Sequence, residues 1–171
     1  MQKYKYILLA LLTIISGALS VYSTDIAQVV VLFGPGLVFG VIIGSWFYIT
    51  QKSNLLKVIF WAALSALAYF LAIEIALHFP VSNGNIGSGN LGLILAGFTG
   101  SAILTASTCF LIKKLSGKPI LTVIILGSLA GIFFSDSVRF LNLNVYGAFI
   151  IWQMAVGIAL GVNVDRNNKT I

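Results

Sequence analysis

The ionisable side chains that could take part in chemistry are few, and most lie in or beside long apolar segments. Glu74 is the only acidic residue inside such a segment, and His78 follows it at the i+4 position. Residues at this spacing lie on the same face of an α-helix, one turn apart. Asp136 and Arg139 stand one helical turn apart at the end of a later segment. Because a charged group is costly inside a bilayer, each of these residues is a candidate for a functional site.

We interpret these four residues as the lining of a pocket that binds a cation or a polar solute. Glu74, His78 and Asp136 would contact the solute, and Arg139 would be an orienting counter-ion. The alternative is that Glu74 pairs with Arg139 and only ties two helices together. An intramembrane enzyme is the third interpretation, but Glu-x-x-x-His is weak as a metal or acid–base motif and no established catalytic pattern accompanies it. We therefore assign no catalytic residue and no cofactor, and we leave metal binding open.

Three further residues are unusual for the depth at which they lie in their segments. Pro35 removes the hydrogen bond to the carbonyl of Val31, and inside a bilayer that carbonyl needs another partner or a wet cavity. Trp152 and Gln153 lie midway along the last segment, where an indole N–H and a carboxamide both require hydrogen-bond partners. We therefore add Pro35, Trp152 and Gln153 to the candidate substrate-binding residues.

The elements that must position these residues are membrane helices. Of the 171 residues, 59% are hydrophobic and only 8% are charged, and the mean hydropathy is +1.05. A soluble domain carries roughly 25% charged residues, so the composition excludes a soluble enzyme and a disordered tail. Cys109 is the only cysteine, which also excludes a disulfide scaffold. The net charge of +6 would suggest nucleic-acid binding in a soluble protein, but in a membrane protein the basic residues indicate its orientation. We therefore expect no nucleic-acid partner.

Six apolar runs are each near the ~20 residues that a helix needs to cross a bilayer. Runs of this length without strand-like alternation satisfy their backbone in lipid by forming helices. We predict an all-α fold in which residues 1–171 form one domain, a compact bundle of six transmembrane helices. The predicted spans are approximately 6–22, 27–49, 55–79, 91–112, 119–134 and 143–162. Residues 1–23 also have features of a cleavable signal peptide, but we expect the first span to be retained because its apolar run continues through Tyr22.

The basic residues predict the orientation of the bundle. Nine of the ten lie before the first span, in the second and fourth connections or after the last span, and only Arg139 lies on the other side. By the positive-inside rule, both termini are cytoplasmic and the chain is a multi-pass protein of the plasma (inner) membrane. Trp46, Tyr48 and Trp61 are expected to be interfacial anchors. Asp165 is assigned to the cytoplasmic tail, and the remaining acidic residues gather with the histidine and Arg139 at the outer face: Asp25, Glu74, His78, Asp136 and Arg139.

Small residues recur at four-residue spacing in several spans. This spacing lets two helix backbones approach closely in lipid. We prefer packing within the chain, with docking of a partner subunit or a second copy as the alternative. The small and polar face of span four could instead line a cavity or bond to its own helix. These residues are Gly36, Gly40 and Gly44 in span two, Gly97, Ser101, Thr105 and Thr108 in span four, Gly127 and Gly131 in span five, and Gly157 and Gly161 in span six.

These patterns predict a small-solute or ion transporter, or a substrate-binding membrane subunit, with a polar site near the outer face. In size, helix number and cytoplasmic termini alone, the layout resembles the substrate-binding membrane subunits of vitamin and metal-ion uptake systems. The expected partners are the lipid bilayer and a small polar solute or cation. The alternative is a structural or assembly subunit whose outer charges only tie helices together.

Overall fold

The computed structural model describes residues 2–24, 28–78, 88–134 and 145–166. Apart from the connections 52–54 and 113–116, the chain is helical in these ranges, and it forms six helices that are long and apolar enough to cross a membrane. A π-helical turn, Thr108–Ile112, follows the fourth helix, and a 3-10 turn, Ile132–Phe134, follows the fifth. The six helices are α1 (Gln2–Thr24), α2 (Gln28–Gln51), α3 (Leu55–His78), α4 (Ser88–Ser107), α5 (Gly117–Gly131) and α6 (Val145–Arg166).

The all-α class and the six apolar helices are therefore confirmed. Two helices extend four residues beyond their predicted spans: α1 begins at Gln2 and not at residue 6, and α6 continues to Arg166 although the predicted span ends at residue 162. Hydropathy ends the span at the first polar residues, but a helix can continue through them wherever their side chains find partners. The predicted span limits at Ala27, Phe79 and Leu143 lie outside the described residues.

The six helices close into a ring. Each helix packs against its neighbours in sequence, and α1 also packs against α6. Neighbouring helices are antiparallel, as the α1–α6 pair shows: Lys5 contacts Asp165 at one end of this pair, and Gly17 faces Ile150 towards the other. The start of α1 and the end of α6 therefore share one end of the ring, which we call the terminal end; the opposite one is the far end.

Glycines allow close approach at the seams between these helices. A Cβ atom added at Gly36 would lie 2.5 Å from the backbone oxygen of Ser65 in α3, and one at Gly157 would lie 2.5 Å from Cγ2 of Thr13 in α1. Gly131 is likewise covered by the backbone of Leu93 in α4. Any side chain at these positions would push two helices apart. The predicted glycine motifs thus pack within the chain, and these faces are not open to a partner subunit.

Large side chains fill the terminal half of the ring. Trp46, Phe47 and Trp61 are at most 2% exposed. The rings of Phe47 and Trp61 meet edge to face at 5.2 Å between centroids, and Phe39 lies 6.1 Å from Trp61. The indole N–H of Trp61 donates to Oγ1 of Thr108 at 3.0 Å, which ties α3 to the end of α4. This cluster leaves little room for a solute in the terminal half.

The prediction that Trp46 and Trp61 are interfacial anchors is wrong, because both rings lie inside the bundle. Both rings lie beside glycines on neighbouring helices. A Cβ atom at Gly44 would lie 3.7 Å from the Trp61 ring, and one at Gly161 would lie 3.3 Å from the Trp46 ring. The missing side chain at Gly161 thus leaves space for the Trp46 indole, whereas the Trp61 ring lies at ordinary contact distance from Gly44. Tyr48, by contrast, is 49% exposed and remains a candidate anchor.

The assignment of Asp165 to a tail is also wrong. Asp165 lies in the last turn of α6 and is only 7% exposed. It forms an ion pair with Lys5 and accepts a hydrogen bond of 2.9 Å from the hydroxyl of Tyr6. The ammonium group of Lys5 also lies 5.4 Å from the centroid of the Trp46 ring. Burial of this carboxylate is tolerated because both of its oxygens have donors on α1.

Candidate functional site

The far half of the ring contains a cavity of about 130 Å³, which we call the far cavity. Every helix from α2 to α6, or the turn that follows it, contributes to its wall. Small residues on facing helices leave the space empty, including Gly36, Ala72, Ala96 and Gly131. A cavity of roughly 150 Å³ in a protein interior holds one benzene molecule. The far cavity is therefore large enough for a compact solute about the size of a single ring.

Aromatic side chains form much of the wall. Tyr69 and Phe149 lie 5.9 Å apart between ring centroids, and Phe134 meets Phe149 edge to face at 5.1 Å. On the terminal side, the rings of Phe39 and Trp152 are 6.2 Å apart. All five rings line the cavity. Such walls favour an apolar molecule and disfavour a bare ion, which would lose its hydration without gaining a counter-charge.

Three of the seven predicted binding residues, Pro35, Trp152 and Gln153, line the far cavity. Pro35 lies within α2, which is continuous from Gln28 to Gln51, and a hydroxyl group of another helix bonds to the carbonyl of the next residue. Ser65 of α3 donates to the carbonyl of Gly36 at 2.7 Å. The hydroxyl oxygen of Ser20 lies 3.3 Å from the carbonyl oxygen of Pro35, but its shorter contact, 2.8 Å, is with the Ser16 carbonyl of its own helix. The structure thus places Pro35 at the cavity wall, with a hydroxyl donor from α3 on the Gly36 carbonyl.

Gln153 is 2% exposed and joins α6 to α1. Its side-chain oxygen accepts from the hydroxyl of Ser16, and its Nε2 donates to the hydroxyl of Ser20 at 2.7 Å. The expectation that this carboxamide needs partners is confirmed. A carboxamide has two N–H bonds, and only one of them has an acceptor among the described residues.

Two further donors belong to the same wall. The hydroxyl of Tyr69 and the indole N–H of Trp152 make no hydrogen bond with any part of the chain that the structure describes, although both residues line the cavity. Gly100 positions the indole, because a Cβ atom there would lie 3.2 Å from Cζ2 of Trp152. Sequence reasoning missed Tyr69. The signal that could have found it is a tyrosine deep in an apolar span, where its hydroxyl needs a partner or a cavity.

Glu74 and His78 lie near the end of α3, and neither is among the lining residues of the far cavity. Glu74 is partly exposed and His78 is exposed. Since a carbonyl can only accept, Nδ1 of His78 carries the proton that it donates to the backbone oxygen of Glu74 at 2.8 Å. Asp136 and Arg139 lie outside the described residues. Convergence of these four residues at the far end therefore stays a prediction.

Metal binding has no candidate cluster in the described ranges, where no group of three or more histidine, cysteine or acidic side chains is suitably placed.

The hydroxyl groups on the small and polar face of α4 bond mainly to their own helix. Ser101 donates to the Gly97 carbonyl at 2.7 Å, and Thr105 donates to the Ser101 carbonyl at 2.6 Å. Of this face, Gly97 lines the far cavity, whereas the hydroxyl-bearing residues do not.

Comparisons with family models, curated proteins and solved structures give no match to this chain. The chemistry of the far cavity therefore has to be inferred from its own residues.

Proposed function

We propose that this protein is a multi-pass protein of the plasma (inner) membrane that binds a small solute in the far cavity, as a transporter or as the substrate-binding subunit of an uptake system. The observation that carries the proposal is the cavity itself. Packed protein interiors contain few voids larger than a water molecule. The far cavity, at about 130 Å³, is much larger than such a void, and a solute that fits it would gain contacts with its aromatic walls.

The wall favours a neutral solute with an apolar body and a hydrogen-bond acceptor. Its aromatic rings suit the apolar body, and its free donors are the Tyr69 hydroxyl, the Trp152 indole N–H and one N–H of Gln153. Within the described part of the chain, the lining residues carry no charged side chain. This solute class is narrower than the cation or polar solute that the sequence predicts. A cation would instead be held by Glu74, which is not among the described lining residues, together with the other charges that the sequence predicts at the outer face.

The distribution of basic residues supports an outward-facing cavity. The described basic side chains belong to the terminal end of the ring, at its helix ends and connections. If this end is cytoplasmic, as the positive-inside rule indicates, the far cavity lies in the outer half of the membrane. The aromatic cluster of Trp46, Phe47 and Trp61 then separates the solute from the cytoplasm. Those basic side chains are Lys5, Lys52, Lys57, Lys113, Lys114, Lys118 and Arg166.

The test is solute binding by the purified protein in detergent. Acetophenone, a neutral ring with a carbonyl acceptor, is compared with the benzylammonium cation by thermal shift. We expect acetophenone to raise the unfolding temperature saturably and benzylammonium to have no such effect. Ala72→Leu, which places a larger side chain in the cavity, should abolish the shift. Ala63→Leu on the exposed face of the same helix is the matched control and should leave it unchanged.

Two results would contradict the proposal. Acetophenone binding that survives Ala72→Leu would place the probe elsewhere. A stable wild-type protein that binds no member of a panel of small neutral aromatic compounds would favour the structural or assembly subunit.

A further inference from the structure

A second concave surface lies on the outside of the ring, between α5 and α6, with a volume of about 480 Å³. We call it the α5–α6 groove. Its apolar part is formed by Leu126, Met154 and Ile158, and its polar part at the terminal end by Asn163 and Arg166. Leu126 is 39% exposed and Arg166 is exposed, so the groove faces the surroundings of the bundle and not its core.

The polar part of the groove is cationic. Arg166 makes no ion pair within the described ranges, because the adjacent carboxylate of Asp165 is bound to Lys5 and Tyr6. Asn163 uses one side-chain N–H to donate to the Ala159 carbonyl at 2.8 Å, which leaves the other available. Lys118 is exposed in the first turn of α5, which antiparallel packing places at the same end as Arg166. These donors suit a phosphate group, which arginine binds with two parallel hydrogen bonds.

The length of the groove matches one leaflet of a bilayer. From Met154 to Arg166, α6 rises about 18 Å at 1.5 Å per residue. Half of a ~30 Å hydrocarbon core is about 15 Å. An apolar groove of this depth that ends in cationic donors has the polarity of a phospholipid: the chain lies along the apolar residues and the phosphate lies at the interface. Basic pockets between membrane helices bind anionic headgroups by the same chemistry.

We propose that the α5–α6 groove binds one anionic phospholipid. Its acyl chain packs against Leu126, Met154 and Ile158, and its phosphate contacts Arg166 and Asn163. The lipid fills the seam on the outer surface of the ring and anchors the end of α6, where Asp165 pairs with α1. This site is separate from the far cavity and does not depend on which solute that cavity binds.

The test is native mass spectrometry of the full chain, released from nanodiscs that contain equal amounts of phosphatidylglycerol and phosphatidylcholine. We expect the wild-type protein to retain one phosphatidylglycerol in preference to phosphatidylcholine. Arg166→Gln should lower that retention roughly fivefold, as expected for loss of one basic contact at a membrane surface. Lys57→Gln, which removes an exposed charge from the same end of the ring on α3, is the control and should have little effect.

A second pair of variants tests the apolar part. Thr122 is exposed and lines the groove, whereas Leu121 beside it is 58% exposed and is not a lining residue. Thr122→Trp should displace the lipid, and Leu121→Trp should not. The proposal is overturned if both phospholipids are retained equally, or if Arg166→Gln and Lys57→Gln reduce retention alike. It is also overturned if Thr122→Trp instead dissociates a dimer, because a second copy would then occupy the groove.

Discussion

Two buried polar side chains of α6 are held by partners on another helix. Gln153 of α6 is bound by two hydroxyl groups of α1, and Asp165 of α6 is bound by Lys5 and Tyr6, also of α1. These contacts lie on either side of the midpoint of the α1–α6 pair. They therefore fix the register of the seam that closes the ring, which apolar packing alone specifies weakly in lipid.

Replacing Gln153 by leucine should lower the free energy of unfolding by about 1 to 2 kcal/mol, because two interhelical hydrogen bonds are lost. The measurement is unfolding in mixed micelles with increasing dodecyl sulfate. Ser45→Leu is the control, since the exposed hydroxyl of Ser45 donates to the Val41 carbonyl of its own helix. Gln153→Leu should also weaken acetophenone binding. Unchanged stability in Gln153→Leu would show that the serine–glutamine contacts do not hold the seam.

Asp165→Asn should destabilise the fold by about 2 kcal/mol, because Lys5 then keeps a partly buried charge without its counter-charge. Removing both charges, in the double variant Lys5→Met/Asp165→Leu, should recover most of this loss. The same unfolding assay measures both variants. A single variant as stable as the wild type, or a double variant no more stable than the single one, would contradict an ion pair that matters for folding.

At the level of helices, the seams depend on glycines that face backbone. The four-residue spacing of Gly36, Gly40 and Gly44 predicts one such seam correctly, and α3 lies directly against it. Gly17 and Gly100 also accept close neighbours, Ile150 and Trp152. The sequence predicts no packing role for either glycine, because an isolated glycine belongs to no repeating pattern. Its contact depends on which helices lie next to each other in space.

Gly36→Ala should lower the free energy of unfolding by about 2 kcal/mol, the range for overpacking a tight interior. Its new methyl group would meet the backbone oxygen of Ser65, which cannot move without shifting α3. Gly117→Ala is the matched control, because nothing lies within 4 Å of a Cβ atom there. That variant should be neutral or slightly more stable, since alanine is the better helix former. Equal effects of the two substitutions would show that the α2–α3 seam tolerates extra volume.

At the level of the whole molecule, the ring is asymmetric: aromatic side chains fill the terminal half and the far half retains a cavity. The number of helices is predictable, because length and hydropathy decide whether a segment can span lipid. Which face of each helix points inwards is not, because lipid is as apolar as the core. Within α3, Trp61 is fully buried and Phe60 is 55% exposed, although both are large and apolar. The cavity therefore emerges only once the helices are packed.

The orientation of this asymmetric ring determines which side of the membrane reaches the cavity, and the charges at its terminal end predict it. In a Cys109→Ser background, Lys52→Cys should react with a membrane-impermeant maleimide only after cells are permeabilised, because basic connections stay in the cytoplasm. His78→Cys, at the exposed far end of α3, should react in intact cells. The two sites belong to opposite ends of the ring, so each controls for the expression and reactivity of the other. The reverse pattern would place the far cavity in the cytoplasmic half and would turn the proposed uptake site into one that takes its solute from inside the cell.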